Sequence, residues 1–368
     1  MKKTLIALAA LAATGAFAQS SVTLYGVVDL GISHGSGSGT GSTTLDQMSS
    51  GNINSSRLGV KGVEDLGGGL KASFVLEGDV KPFSGTGATT GAPAAGASNN
   101  NVAVVGTSGG FTFNRQATLG VIGGFGEVRL GRDYTPTFYV DAVYDPFGVN
   151  GVGTNAIFGN GNAYTINHLR VSDAVSYISP NLSGFSGQLT FSLNNTASGT
   201  TAATTQTQDD GKFTGAVVGY SQGPLSAHVA SATEKLFALG DVTTTSLGAA
   251  YDLGVAKLMM EYSTDQKGSA AFNQKIEGTL LGVTAPLGSG VLKASYVTRK
   301  ITADNQVGDN YLNQTTLGYV YMLSPRTALY ATASSISNTG ASAVGANGAV
   351  TAAGTSSSGY DIGIRHSF

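Results

Sequence analysis

"GYDIGIRHSF", residues 359–368, alternates along its whole length. Tyr360, Ile362, Ile364, His366 and Phe368 take every second place, and Asp361, Gly363, Arg365 and Ser367 fall between them. Side chains on a strand repeat with a period of two, so this segment has one oily face and one wet face. Terminal residues fray unless something ties them down. An amphipathic strand in last place therefore predicts a partner strand on its edge and a non-aqueous medium on its oily side.

The same alternation runs through the chain. "SVTLYGVVDL" sets Val22, Leu24, Val28 and Leu30 against Thr23, Tyr25 and Asp29; "GLKASFVLEG" sets Leu70, Ala72, Phe74 and Leu76 against Lys71, Ser73 and Glu77. "VAKLMMEYS" and "GVLKASYVTRK" repeat the scheme, with Leu258, Met260 and Tyr262 opposite Lys257, Glu261 and Ser263, and Leu292, Ala294 and Tyr296 opposite Lys293, Ser295 and Arg299. Helical periodicity is scarce, and the glycine and β-branched residues inside these segments disfavour helix.

The composition narrows the class. Of 368 residues only 11% are charged, while 54 are glycine, so the wet faces are built from small neutral residues rather than charges. Cysteine is absent, which excludes a disulfide framework and thiolate metal sites. A formal charge of −2 gives no electrostatic reason for a nucleic-acid partner. The opening "MKKTLIALAALAATGAFA" has a basic start, a short apolar run and an Ala16-Phe17-Ala18 cleavage site, the pattern of a secretory signal peptide over residues 1–18. Residues 19–368 are then one exported domain. They contain no apolar run long enough to cross a bilayer as a helix.

Two kinds of connector take turns. Tight Gly/Pro/Asn/Asp clusters stand at 64–69, 123–126, 179–184, 221–224, 252–254, 286–290 and 323–326. Long polar stretches stand at roughly 33–55, 79–110, 134–168, 194–211, 233–243, 264–273, 301–310 and 337–357. Seven tight turns join fourteen strands. A first strand near 20–32 and a last near 358–368 bring the expected total to about sixteen.

A soluble β-sandwich also alternates. Sixteen strands with all long loops at one end fit a transmembrane antiparallel barrel better, with short periplasmic turns and long extracellular loops. In lipid every unpaired N–H or C=O costs several kcal/mol, so the last strand must pair with the first. Tyr262, Tyr296, Tyr319, Tyr321, Tyr360 and Phe368 share the oily parity, as aromatics at lipid interfaces do.

The stretches "SSVTLYGVVDLGI" (20–32), "SSRLGVKGVEDLGGGLKASFVLEG" (55–78), "GGFGEVRLGRDYTPTF" (123–138), "YDPFG" (144–148), "TTLGYVYMLSPRTALY" (315–330) and "GIRHSF" (363–368) resemble the general porins of Gram-negative bacteria, of the beta-proteobacterial type. The resemblance runs from end to end. It implies an outer-membrane barrel of sixteen strands, assembled as a homotrimer, that passes ions and small hydrophilic solutes without a cofactor or a metal. It also implies that Phe368 and the alternation before it are read by the outer-membrane assembly machinery.

The resemblance further implies that the third long loop, about 134–168, folds inward and carries Asp133, Asp141 and Asp145 opposite a basic wall. Arg57, Arg132 and Arg170 match the family's basic positions. Alternation adds Lys61 and Gly59 to the inward side with Arg57. Arg129 and Glu127 are inward by the same pattern, while Arg132 follows Gly131 where alternation need not persist. Arg115 shares the parity of Leu119 and Val121, so it is expected to face lipid, with Gln116 inward and any anion preference weakened. Opposed basic and acidic rows in a narrow pore would set up a transverse field that selects among ions.

Other functions have little support. "GSGSGTG" (35–41) precedes no helix and is no phosphate cradle. No HExxH, GxSxG or Walker motif occurs, and the four histidines are scattered. The alternatives are a surface barrel acting as adhesin or binding protein, or a barrel hydrolase, which would need a nucleophile, a base and an orienting group in reach of one another.

Overall fold

A computed structural model describes residues 21–87, 111–157, 169–193, 211–236, 240–269, 272–304, 308 and 310–368. The predicted signal peptide lies outside them, as do residues 88–110 and 194–210 of the long connectors. The first half of the chain contributes β1 (Ser21–Gly37), β2 (Thr44–Ser50), β3 (Arg57–Gly67), β4 (Leu70–Lys81), β5 (Thr86–Gly87), β6 (Gln116–Gly123), β7 (Gly126–Tyr134), β8 (Arg170–Ile178) and β9 (Phe185–Ser192). The second half contributes β10 (Phe213–Gln222), β11 (Leu225–Leu236), β12 (Gly240–Asp252), β13 (Lys257–Ser269), β14 (Phe272–Leu287), β15 (Gly290–Ala303), β16 (Asn310–Met322), β17 (Thr327–Thr339) and β18 (Ser356–Ser367).

Sixteen of these strands form one closed antiparallel barrel. β3 pairs with β1 and β4, β4 with β6, and each strand from β6 onward with its successor, until β18 returns to β1. β2 and β5 stand outside the ring. β2 folds back along the far half of β1, and β5 adds two residues to β4.

The closing seam runs from Val27↔Ser367 to Gly37↔Ser357. Below it, Gly26 and Phe368 exchange two backbone hydrogen bonds of 3.1 Å each. The Phe368 ring lies over Gly26, where a Cβ would collide with it. The strand read first from sequence is thus paired on both edges, with β17 on its other side.

Alternation assigns the faces. On β13, Leu258, Met260 and Tyr262 are exposed on the outer wall while Glu261 and Ser263 are buried inside. Asp29 on β1 and Asp361 on β18 are inward and fully buried. All seven tight turns fall where the sequence places them, and at 67–69 three consecutive glycines take left-handed φ of 80°, 61° and 82° that other residues resist.

The long connectors need correction. The stretches 233–243 and 264–273 are largely strand, since β11 runs to Leu236 and β13 to Ser269, and 301–310 begins with the last residues of β15, which runs to Ala303. The stretch 33–55 contains the end of β1 and all of β2. Outward residues there are Thr, Gln and Lys rather than Leu or Val, so the composition reads as loop although the ladder continues.

Candidate functional site: the narrowed lumen

Residues 135–157, which follow β7, lie inside the barrel. They open with helix α1 (Pro136–Tyr144). The Thr135 hydroxyl caps this helix by accepting from the Phe138 N–H, and Pro136 supplies a pre-set φ in the first turn. Asp145 ends it in extended backbone, as expected of a residue before proline.

The chain beyond the helix follows the inner wall of β11–β18, and lumen-facing glycines make room for it. A Cβ at Gly248 would strike the Tyr144 ring, one at Gly278 would strike Ile157, and one at Gly318 would stand 2.9 Å from the Phe147 ring. At Gly282 the obstacle is Pro146, at 2.5 Å. Between these gaps the wall presents apolar side chains. Val152, Ala156 and Ile157 pack on Leu280, Val297, Leu312 and Ile336. Polar ties complete the seat: the Tyr144 hydroxyl and His228 Nδ1 are 2.6 Å apart, and Arg299 Nη1 donates to the Ala156 carbonyl at 2.9 Å.

The opposite wall, β3 to β8, is charged. Arg115 is buried and holds three partners: Nε donates to Glu77 Oε1 (2.6 Å), Nη1 to Asp79 Oδ1 (2.8 Å) and Nη2 to the Tyr134 hydroxyl (2.8 Å). Arg57 reaches Glu77 Oε2 at 3.5 Å. The Arg170 guanidinium stacks over the Tyr134 ring at 4.6 Å and donates to its hydroxyl at 3.1 Å. These groups border an opening of about 370 Å³ whose other side is Asn54, Ser55 and the loop residues Gly148, Val149 and Asn150. The charged residues lining the opening are Arg57, Arg115, Arg170 and Asp79, and the buried Glu77 pairs with Arg57 and Arg115.

Placement of the expected residues is mixed. Arg57 and Arg170 line the opening together. Arg132 stands beside them, its Nε donating to the Asn114 carbonyl and Nη1 to Ser172 Oγ, each at 2.7 Å. A shift of register between Gly131 and Asp133 reorients the end of β7. Lys61 lies nearer the tight-turn rim, its Nζ 5.1 Å from the Tyr25 ring centroid. Asp133 is occupied by Gln116 and Arg129 on the wall.

The two loop carboxylates turn away from the opening. Asp145 accepts from its own turn, Oδ1 from the Phe147 N–H (2.8 Å) and Oδ2 from the Val149 N–H (3.0 Å). Burial lifts its carboxyl to about 6 despite those donors. Asp141 is buried against β13, where it hydrogen-bonds the Glu261 carboxyl.

Arg115 corrects the expectation that it faces lipid. It sits one residue before β6, where no ladder fixes its parity, and swings inward to the carboxylates of β4. Glu77 and Asp79 were the available signal: two acids on the inward parity of one strand require a cation.

The sequence profile of Gram-negative porins matches residues 4–341. The chain is 38% identical to outer membrane porin protein 32 of Delftia acidovorans over the full length of both. It is 31% identical to an outer membrane porin protein of Bordetella pertussis, covering 90% of this chain and 93% of that one. Among solved structures, an anion-selective porin from Comamonas acidovorans superposes with a TM-score of 0.80 at 34% identity, covering 95% of this chain and all of the other. A closed sixteen-stranded barrel, a lumen narrowed from within and these full-length likenesses make the chain a member of the Gram-negative porin family, a channel-forming β-barrel of the outer membrane.

Proposed function

We propose that the channel passes small hydrophilic solutes by diffusion and prefers anions. One observation carries the preference: at the narrow opening, Arg57, Arg115 and Arg170 outnumber the carboxylates among the described residues, and neither Asp141 nor Asp145 of the loop points back at them. Guanidinium groups keep their charge at all working pH values. In a narrow lumen with low-dielectric walls even a small excess of charge is weakly screened and raises the local concentration of the opposite ion. The likeness to a porin described as anion-selective supports the same sign. The proposal includes a homotrimer, tight turns on the periplasmic side, and Phe368 as part of the assembly address. The relatives are named as porins, and the chain is read as a channel rather than an enzyme.

The test is a planar bilayer containing the detergent-purified protein in a potassium chloride gradient. Stepwise conductance with a zero-current potential of the anion-preferring sign is expected. A cation-preferring potential would overturn the charge assignment, and absence of steps would overturn the channel.

A further inference from the structure

Two fully buried carboxylates stand on the two strands of the closing seam, Asp29 on β1 opposite Arg365 and Asp361 on β18 opposite Ser33. A buried carboxylate is costly unless several donors compensate it. Here the donors are neutral, and most come from segments outside the barrel ring. Asp361 Oδ2 accepts from the Val152 N–H of the inward loop at 2.6 Å. Its Oδ1 accepts from Ser33 Oγ across the seam at 2.6 Å and from Asn347 Nδ2, in the last long connector, at 2.8 Å. Asp29 Oδ2 accepts from the N–H groups of Ile53 and Asn54, each at 2.8 Å, and Oδ1 accepts from the Tyr330 hydroxyl at 2.6 Å.

The two docked segments meet. Ser55 Oγ donates to Asn150 Oδ1 at 3.0 Å. Asn54, Ser55, Val149 and Asn150 form the neutral side of the opening, facing the arginine wall. Asp29 binds the Asn54 N–H of the first pair, and Asp361 anchors the loop at Val152, two residues beyond the second. Gly151 brings the loop against Asp361: its φ is +59°, and a Cβ there would lie 2.6 Å from Asp361 Oδ2 and would collide with the Asn52 carbonyl.

We propose that Asp29 and Asp361 are positioning residues that set the width of the channel, by pinning its neutral side to the closing seam. The width is then fixed only where β18 has paired with β1, because Asp361 is itself oriented by Ser33 of β1. This rests on the reading of the lumen as a diffusion channel. It adds that width and charge preference are set by different residues.

The test compares the parent with Asp361→Ala, Asp361→Asn and Gly151→Val in planar bilayers, and in liposomes swollen with neutral sugars of graded size. Asp361→Ala is expected to raise single-channel conductance about two-fold and admit a larger neutral sugar, since pore width governs both. The sign of the zero-current potential should stay as in the parent. Asp361→Asn keeps one acceptor oxygen for the Val152 N–H and should fall between. Gly151→Val pushes the loop off the seam without altering either carboxylate, so it decides the matter if Asp361→Ala fails to assemble. Unheated gel mobility reports assembly of each variant. Assembled variants with parental conductance and sugar cut-off would overturn the positioning role while leaving the channel intact. A parent without conductance would instead sink the channel reading.

Discussion

The two walls of the lumen are built on opposite principles. The wall from β3 to β8 is charged and polar, and its arginines are held by carboxylates and by the Tyr134 hydroxyl. The wall from β11 to β18 is notched and covered: glycines at 248, 278, 282 and 318 receive the side chains of the inward loop, apolar residues such as Leu280 and Leu312 pack under it, and polar groups such as His228 and Arg299 tie it down. The barrel thus has a packed core on one side of its lumen, and the loop separates it from the cavity that the arginines border. The charge of the passage and its width should therefore be separable by mutation.

The largest effect is expected from Arg115→Ala. It removes one guanidinium and leaves Glu77 and Asp79 without their shared cation, so the opening loses its excess of positive charge. Breaking a buried pair in this way costs about 3–5 kcal/mol, and both the zero-current potential and the thermal stability should report it. A variant that stays anion-preferring would show that the sign of selectivity is set elsewhere.

Gly248→Val attacks the covered wall. The new side chain competes with the Tyr144 ring, and overpacking of this kind costs about 1–3 kcal/mol. Conductance should rise or become noisy while the sign of selectivity persists. A change of sign without a change of conductance would erase the division between the walls.

Arg57→Ala should move the zero-current potential toward cations by a smaller step, because Arg57 has a looser hold on Glu77 than Arg115 does. The difference from the parent should shrink at about 1 M salt, where the screening length is about 3 Å. Equal differences at low and high salt would argue for a change of shape rather than of charge.

The smallest effect belongs to Asp145. Its carboxyl is lifted to about 6, so it is ionised at neutral pH and becomes neutral as the pH falls through that value. One negative charge then leaves the loop, and anion preference should increase slightly on acidification from pH 7 to 5. Asp145→Asn should flatten that part of the pH profile, and an unflattened profile would assign it to another group.

Much of this molecule was legible in its sequence because lipid imposes the pattern. Leu258, Met260 and Tyr262 must be apolar where the hydrocarbon touches them, and Gly67 to Gly69 must turn sharply, so strand count, turns and outward faces could be read directly. Arg115 could not be placed that way, because alternation governs residues inside a ladder and Arg115 lies just before one. The orientation of Asp141 and Asp145 was hidden for another reason. Their partners are a strand residue far along the chain, Glu261, and the backbone of a turn whose left-handed residues Gly148 and Val149 no local rule anticipates. The glycines of the covered wall resembled ordinary wet-face residues until the loop lay against them.

The strands continue beyond their apolar stretch, and this shapes the rim. On β14 the outward side is Leu281, Val283, Ala285 and Leu287 near the tight-turn rim, but Lys275, Glu277 and Thr279 toward the other end. At about 3.4 Å per residue and a tilt of about 40°, a strand of this length rises roughly 40 Å along the axis, against an apolar band of about 25 Å. The upper part of the wall is therefore a collar with a wetted outer face, where water competes for the backbone amides. Its hydrogen bonds open more readily than those in the hydrocarbon, so the barrel is a stiff ring with a softer rim. A solute is already enclosed by protein before it reaches the level of the lipid.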